Sequence, residues 1–141
     1  MKKILVTGGS GFIGTNFVNL ISSKNYKILN IDKISEISTP ERFKIIKYPK
    51  KYFFIKNDLK NYKKILDTLK KFKPDLIINF AAESHVDRSI NDPLNFIKNN
   101  IDLSINLFFA YSHYLKIKKI KFFQISTDEV YGSLIKGYSK E

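Results

Sequence analysis

Residues 4–14 read ILVTGGSGFIG, a short apolar run that breaks into a glycine-rich turn and then into helical spacing. Ile4 to Thr7 has the length of a short buried strand, and Gly8, Gly11 and Gly14 lie three apart directly after it. From Phe12 to Ser23 the apolar residues Phe12, Ile13, Phe17, Leu20 and Ile21 recur on one side of a helix. A second apolar run, Tyr26 to Ile31, ends at Asp32, 18 positions beyond Gly14. Strand, glycine turn, helix and strand within about 30 residues are the dimensions of a βαβ unit.

Working outward, residues 33–50 are polar and irregular, with Pro40 and Pro49 and room for a short helix around Glu41 to Lys47. Tyr52 to Lys56 reads as a third strand, and Tyr62 to Phe72 as a lysine-rich amphipathic helix stopped before Pro74. Asp75 to Phe80 is almost wholly apolar, as expected of a strand covered on both faces. Pro93 to Leu115 fits a long helix with proline in its first turn, and Ile120 to Ser126 a fifth strand. Tyr131 to Glu141 shows no element of its own. Strands alternating with helices imply a single α/β domain over residues 1–141. Its sheet should be parallel and doubly wound, because right-handed crossovers place helices on both faces. That is a Rossmann-like arrangement, here running to about the fifth strand.

Composition excludes several classes. The chain has no Cys, so a disulfide framework, a zinc knuckle and a thiol nucleophile are out. The apolar run after the N-terminal lysines is four residues, too short for a signal-peptide core. No run approaches the roughly 18 apolar residues of a membrane span, so no membrane partner and a cytoplasmic location are expected. The net charge of +12 suggests nucleic acid at first sight. But Arg42 and Arg88 are the only arginines, so 23 of the 25 basic residues are lysines, and these are spread along the chain. Arginine is the favoured residue for bidentate phosphate and base contacts, and a solvated basic surface is the simpler account.

A glycine triplet alone can be no more than a tight turn. Here it sits between strand and helix, where glycines let a backbone approach a pyrophosphate and the helix N-terminus offers unpaired N–H groups. Asp32, at the end of the second strand, is placed to accept hydrogen bonds from the adenosine ribose. Its charge would repel a 2′-phosphate, which favours NAD over NADP; Lys33 beside it leaves some room for NADP.

The wider pattern TGGSGFIG resembles the extended short-chain dehydrogenase/reductase superfamily. Residues 79–90, NFAAESHVDRSI, and 125–132, ISTDEVYG, narrow the likeness to the nucleoside-diphosphate-glucose 4,6-dehydratases, above all the dTDP-glucose 4,6-dehydratase family. The resemblance runs from Lys2 to about Gly132 and carries implications position by position. Phe12 and Ile13, with Asp32, Lys33, Ile34 and Ser35, would line the adenosine and pyrophosphate part of NAD. Asp58 and Leu59 would lie beside the adenine. Phe80, Ala81, Ala82, Glu83 and Ser84 would follow the nicotinamide half, with Ser84 also facing the sugar nucleotide. Thr127 would hydrogen-bond the glucose near C4, with Asp128 as general acid and Glu129 as general base. Full-length members are expected to be homodimers.

Elimination across C5 and C6 needs two carboxyl groups in opposite protonation states, which Asp128 and Glu129 fit. A polar Asp-Glu turn ending a strand is the plain alternative, and the flanking ST and VYG favour catalysis. Adjacent strand residues point to opposite faces, so both carboxyls serve one site only if the fifth strand ends by about Thr127. His85, beside a strand end, is more simply structural, and no His/carboxylate spacing suggests a metal site.

Two departures stand out. Residues 99–104, NNIDLS, occur where the family carries a TNxxGT-like run. Asn99 replaces a threonine that touches NAD, and Leu103 replaces a small residue where helices pack closely. The superfamily also oxidises the sugar with a Tyr-x-x-x-Lys pair located some tens of residues after STDEVYG. Only twelve residues follow Glu129 here. Tyr114 and Lys118 match the pattern but precede the fifth strand, so that match is read as coincidence. The expectation is a fragment that does not turn over substrate alone. The alternatives are a UDP-glucose 4,6-dehydratase or related nucleotide-sugar epimerase/dehydratase and, of another class, a non-catalytic NAD-binding remnant.

Overall fold

The computed structural model describes residues 1–34, 38, 49–132 and 137, without the side chains of Pro49, Arg88, Asp128 and Glu129. Five parallel strands form one sheet: β1 (Lys2–Thr7), β2 (Tyr26–Asp32), β3 (Tyr52–Lys56), β4 (Leu76–Asn79) and β5 (Lys121–Gln124), in the order β3-β2-β1-β4-β5. The helices are α1 (Phe12–Ser22), α2 (Tyr62–Phe72), α3 (Val86–Asn91) and α4 (Pro93–Leu115). Single 3-10 turns occupy Pro49–Lys51 and Asp128–Tyr131. The order reverses between β1 and β4: the chain steps outward from β1 to β3, then α2 carries it back to the far side of β1. A ligand crevice forms above such a reversal, at the C-terminal ends of the strands.

Period-two alternation in the strands builds two cores. Ile4, Val6, Ile28 and Ile78 face α1 and pack with Val18, flanked by Phe17, Ile21 and Phe80. Leu5, Leu29, Ile31 and Ile77 face the other way, against Ile65 and Leu69 of α2 and Leu107, Ala110 and Tyr114 of α4. The three central strands are therefore covered on both faces, while the edge strands β3 and β5 remain largely exposed. Leu103 is buried in this second cluster beside Leu59. The side chain that stands where the family has a small residue is used here as core.

Local chemistry sets the helix limits. Asn61 caps α2 by accepting from the Lys64 N–H at 3.1 Å, and Lys73, in the left-handed conformation at φ 54°, ends it ahead of Pro74. Asp92 caps α4 by accepting from the Asn95 N–H, and Pro93 takes the first turn. That cap also divides α4 from α3, a short helix the apolar spacing did not indicate.

Differences from the expected elements are small but instructive. β4 and β5 are shorter than the apolar runs that contain them, because pairing stops where neighbouring strands end. The buried side of α1 is Gly14, Thr15, Val18 and Ser22, while Phe12, Ile13 and Leu20 are exposed. The glycine at position 14 draws the helix down on its small-residue side. The helix expected around Glu41 to Lys47 lies outside the described residues. No described helix is long and apolar enough to cross a membrane.

At the N-terminal edge of the sheet, Asp75 accepts from the Lys3 backbone N–H at 2.8 Å and from Lys118 Nζ at 2.6 Å. Lys118 also donates to the Lys73 carbonyl, and Tyr114 is buried beside it. Burial raises the Tyr114 phenol above its ordinary value, the opposite of what a tyrosine base requires. The Tyr114/Lys118 spacing thus belongs to a structural cluster at the end of the sheet away from the crevice. The Lys118 hydrogen bond, then the Lys3 N–H, lower the Asp75 pKa below 3.8. This stabilisation is complete above that value and is lost as pH falls through the lowered folded pKa. Asp75→Asn should cost about 0.5–1 kcal/mol at neutral pH, the scale of a part-exposed pair. In urea melts the gap from wild type should close at pH values well below 3.8; a gap that persists there would discount the charge.

Candidate cofactor cleft and catalytic strand end

The glycine turn is held from below by β2. Asn30, fully buried, accepts from the Gly9 N–H at 3.0 Å and donates through Nδ2 to Ser10 Oγ at 3.1 Å and to the Tyr52 hydroxyl at 3.0 Å. Burial raises the Tyr52 pKa, and the Asn30 hydrogen bond opposes it. The Gly8 N–H donates to the Ile31 carbonyl at 3.0 Å, and Thr15 Oγ1 donates to the Gly9 carbonyl at 3.1 Å. Gly8 has φ +69°, and a Cβ there would lie 2.5 Å from the Ala81 nitrogen. A Cβ at Gly14 would collide with the Gly8 carbonyl oxygen. These two glycines therefore seat α1 on the ends of β1 and β4.

Asp32 is nine-tenths buried and oriented by two backbone donors. The Ser10 N–H reaches Oδ2 at 2.9 Å and the Ile34 N–H reaches Oδ1 at 2.8 Å. Each oxygen keeps a second lone pair for an outside donor. Ile34 makes this contact from a left-handed backbone, φ 51°, a strained state for a β-branched residue of the kind that accompanies binding sites.

Across the sheet, Thr7 Oγ1 donates to Asn79 Oδ1, the Ala81 N–H reaches the same oxygen at 3.0 Å, and Asn79 Nδ2 donates to Gln124 Oε1 at 2.8 Å. This ladder ties the ends of β1, β4 and β5 under the crevice. The result is a cleft of about 510 Å³. Its walls bring together Gly8, Gly11, Phe12, Ile13 and Gly14 from the turn, Asp32 and Lys33 after β2, and Asp58 and Leu59 after β3. Phe80, Ala81, Ala82, Glu83 and Ser84 after β4, Asn99 on α4 and Thr127 after β5 complete it. Ile34 does not line it, and Ser35 lies outside the described residues. Ile31, Asn57, Lys60, Ile125 and Ser126 also line it without having been singled out from sequence, as does Leu103, noted there only for its packing. Lys60 and Asn57 flank the Asp58–Leu59 pair, so that motif was their signal.

Beyond Thr127, the strand has already ended. β5 stops at Gln124, and Asp128 and Glu129 open the Asp128–Tyr131 3-10 turn. Successive residues there are rotated by about 120° rather than alternating, so the opposite-face constraint does not apply. Both carboxylate side chains lie outside the description. His85 Nδ1 sits 3.7 Å from Asp87 Oδ2 with both groups well exposed. Among the described residues no group of His, Asp and Glu is arranged to hold a metal ion.

A sequence profile described as GDP-mannose 4,6 dehydratase matches residues 5–141. The chain belongs to that family. Its relatives include the dTDP-glucose 4,6-dehydratase of Escherichia coli, 39% identical over 139 residues. The enzyme of that name from Xanthomonas campestris pv. campestris is 37% identical over 140. These alignments cover 94% and 95% of this chain but 38% and 40% of those proteins. The crystal structure of dTDP-glucose 4,6-dehydratase from Bacillus anthracis in complex with NAD superposes with a TM-score of 0.79 at 34% identity. It covers all of this chain and 42% of that one. This chain of the 4,6-dehydratase family thus spans about two fifths of the relatives it matches.

The glycine seat makes a direct prediction. Gly14→Ala should lower stability by about 1–3 kcal/mol, the usual cost of overpacking, measured by chemical denaturation. Asn30→Leu strands the Gly9 N–H and the Ser10 and Tyr52 hydroxyls and should cost roughly 2–4 kcal/mol. Near-wild-type melting of Asn30→Leu would show that the turn holds itself.

Proposed function

We propose that this chain is the NAD-binding part of a cytoplasmic nucleotide-sugar 4,6-dehydratase, with dTDP-glucose as substrate. The observation that carries the reading is the pre-oriented Asp32 carboxylate facing the same cleft as the glycine turn. NAD fits the residues present. Gly11 has no heavy atom closer than 3.4 Å to where a Cβ would stand, so its bare backbone is left for a ligand rather than for packing. α1 begins at Gly11 with no side-chain cap and no acidic residue in its first turn, an N-terminus open to a pyrophosphate. Asp32 accepts the ribose hydroxyls, Asp58 and Leu59 flank the adenine, and Phe80 to Ser84 run along the nicotinamide half.

Bound there, NAD would supply the hydride acceptor and donor that oxidises the sugar at C4 and later reduces C6. The chain's own groups supply the elimination between. Thr127 and Ser84 hold the sugar, with Thr127 hydrogen-bonded at O4. Glu129 takes the C5 proton, acidified by the adjacent ketone, and Asp128 gives a proton to the departing C6 hydroxyl, which leaves as water. Removing the C4 hydroxyl proton falls to a tyrosine–lysine pair that these 141 residues do not carry at the matching place.

The reading predicts that the purified chain binds NAD and that Asp32→Ala weakens binding about ten- to a hundredfold. That range reflects loss of charge-assisted hydrogen bonds worth roughly 1.5–3 kcal/mol. Calorimetry with NAD and NADP checks both affinity and preference. The chain alone should not form a 4-keto-6-deoxy sugar from dTDP-glucose or UDP-glucose; product detected by chromatography would overturn the assignment of the oxidising step.

A further inference from the structure

Lys33 follows β2 and Glu83 lies in the loop after β4, and these strands flank β1 on its two sides. Neighbouring strands are about 4.8 Å apart, so a contact between these residues spans two strand spacings, over the C-terminal end of β1 and its glycine turn. The contact exists: Lys33 Nζ sits 2.6 Å from Glu83 Oε1. Both residues line the cleft.

The acidic half is firmly held. The Glu83 N–H donates to Asn100 Oδ1 at 2.7 Å, and Asn100 Nδ2 donates back to the Glu83 carbonyl at 2.9 Å. Asn99 Nδ2 donates to Glu83 Oε1 at 3.2 Å, and Lys60 Nζ donates to Asn99 Oδ1. The departure at Asn99 therefore has a partner in the fold: a longer amide joins the loop after β3 to the loop after β4, where a threonine is too short to bridge them in this way. The Glu83 side chain is 14% exposed and that of Lys33 43%, a held catch and an exposed arm.

We infer that the Lys33–Glu83 pair is a clasp across the mouth of the cleft that slows release of a bound dinucleotide. The inference rests on the reading of the cleft as an NAD site. A dinucleotide stretching from Asp32 to the loop after β4 covers the same span as the pair, so the pair opens for entry and closes afterwards. Retention suits the proposed reaction, in which the reduced cofactor must remain until the hydride is returned to the same sugar.

The test is the release rate of NADH from the 141-residue chain, followed by loss of its fluorescence on displacement with excess NAD. Lys33→Met and Glu83→Gln should each speed release about three- to tenfold, and the double variant no more than either single one, because both remove one interaction. Added salt should speed release from wild type and leave the variants nearly unchanged. The exchanged pair, Lys33→Glu with Glu83→Lys, should recover slow release, which a direct contact of either residue with the cofactor would not. Wild-type release rates in the single variants, or fully additive effects in the double, overturn the clasp. Failure of wild type to bind NADH at all overturns the cleft reading, and the clasp with it.

Discussion

The backbone of α1 comes down on the turn before it so closely that the Gly8 carbonyl occupies the space a side chain at position 14 would need. Much of the molecule follows from that approach. It fixes the helix axis over the sheet, turns Thr15 and Val18 inward and leaves Phe12 and Ile13 at the lip of the crevice. It also aims the start of the helix at the space between β2 and β4. Asn30 secures the same turn from beneath by filling the hydrogen-bonding capacity of Gly9 and Ser10, and Ser10 in turn orients Asp32. One close packing contact and one buried amide thus set the position of the carboxylate that defines the cleft.

Polar groups are divided between the two ends of the sheet. At the N-terminal end, Asp75, Lys3, Lys118 and Tyr114 satisfy one another and tie α4 to the strands. At the C-terminal end, Thr7, Asn79 and Gln124 form a ladder whose outer rim is open. Charged groups and a tyrosine hold the scaffold together at one end, and uncharged polar side chains tie the strand ends beneath the cleft at the other.

How much of this was readable in the sequence depends on the range of the interaction. Strands are legible as short apolar runs and helices as a period of about 3.6, and the glycine spacing with Asp32 marks the cleft because those residues lie within one βαβ unit. Of the apolar residues on α1, Phe17 and Ile21 pack against the core while Phe12, Ile13 and Leu20 are exposed, because the close approach at Gly14 sets which side turns inward. α3 is not legible because six residues, with only Val86 and Ile90 at helical spacing, are too few to establish a period. Asn30 and the Lys33–Glu83 contact are invisible for a different reason. Each joins residues tens of positions apart, and only the sheet order brings them together. The roles of Asp128 and Glu129 rest on the STDEVYG likeness, since their turn gives backbone direction alone.

The early end of β5 carries a consequence for how this strand end can change over time. A strand imposes strict alternation, so lengthening it by one residue exchanges what faces inward and outward. Once the chain has passed into a 3-10 turn, directions rotate in smaller steps, and a pair of neighbouring carboxyls can be steered by adjusting the turn while the sheet stays as it is. The fold thereby separates the part that must remain invariant for packing from the part that can be retuned, and a new reaction could be reached at that point without rebuilding the core.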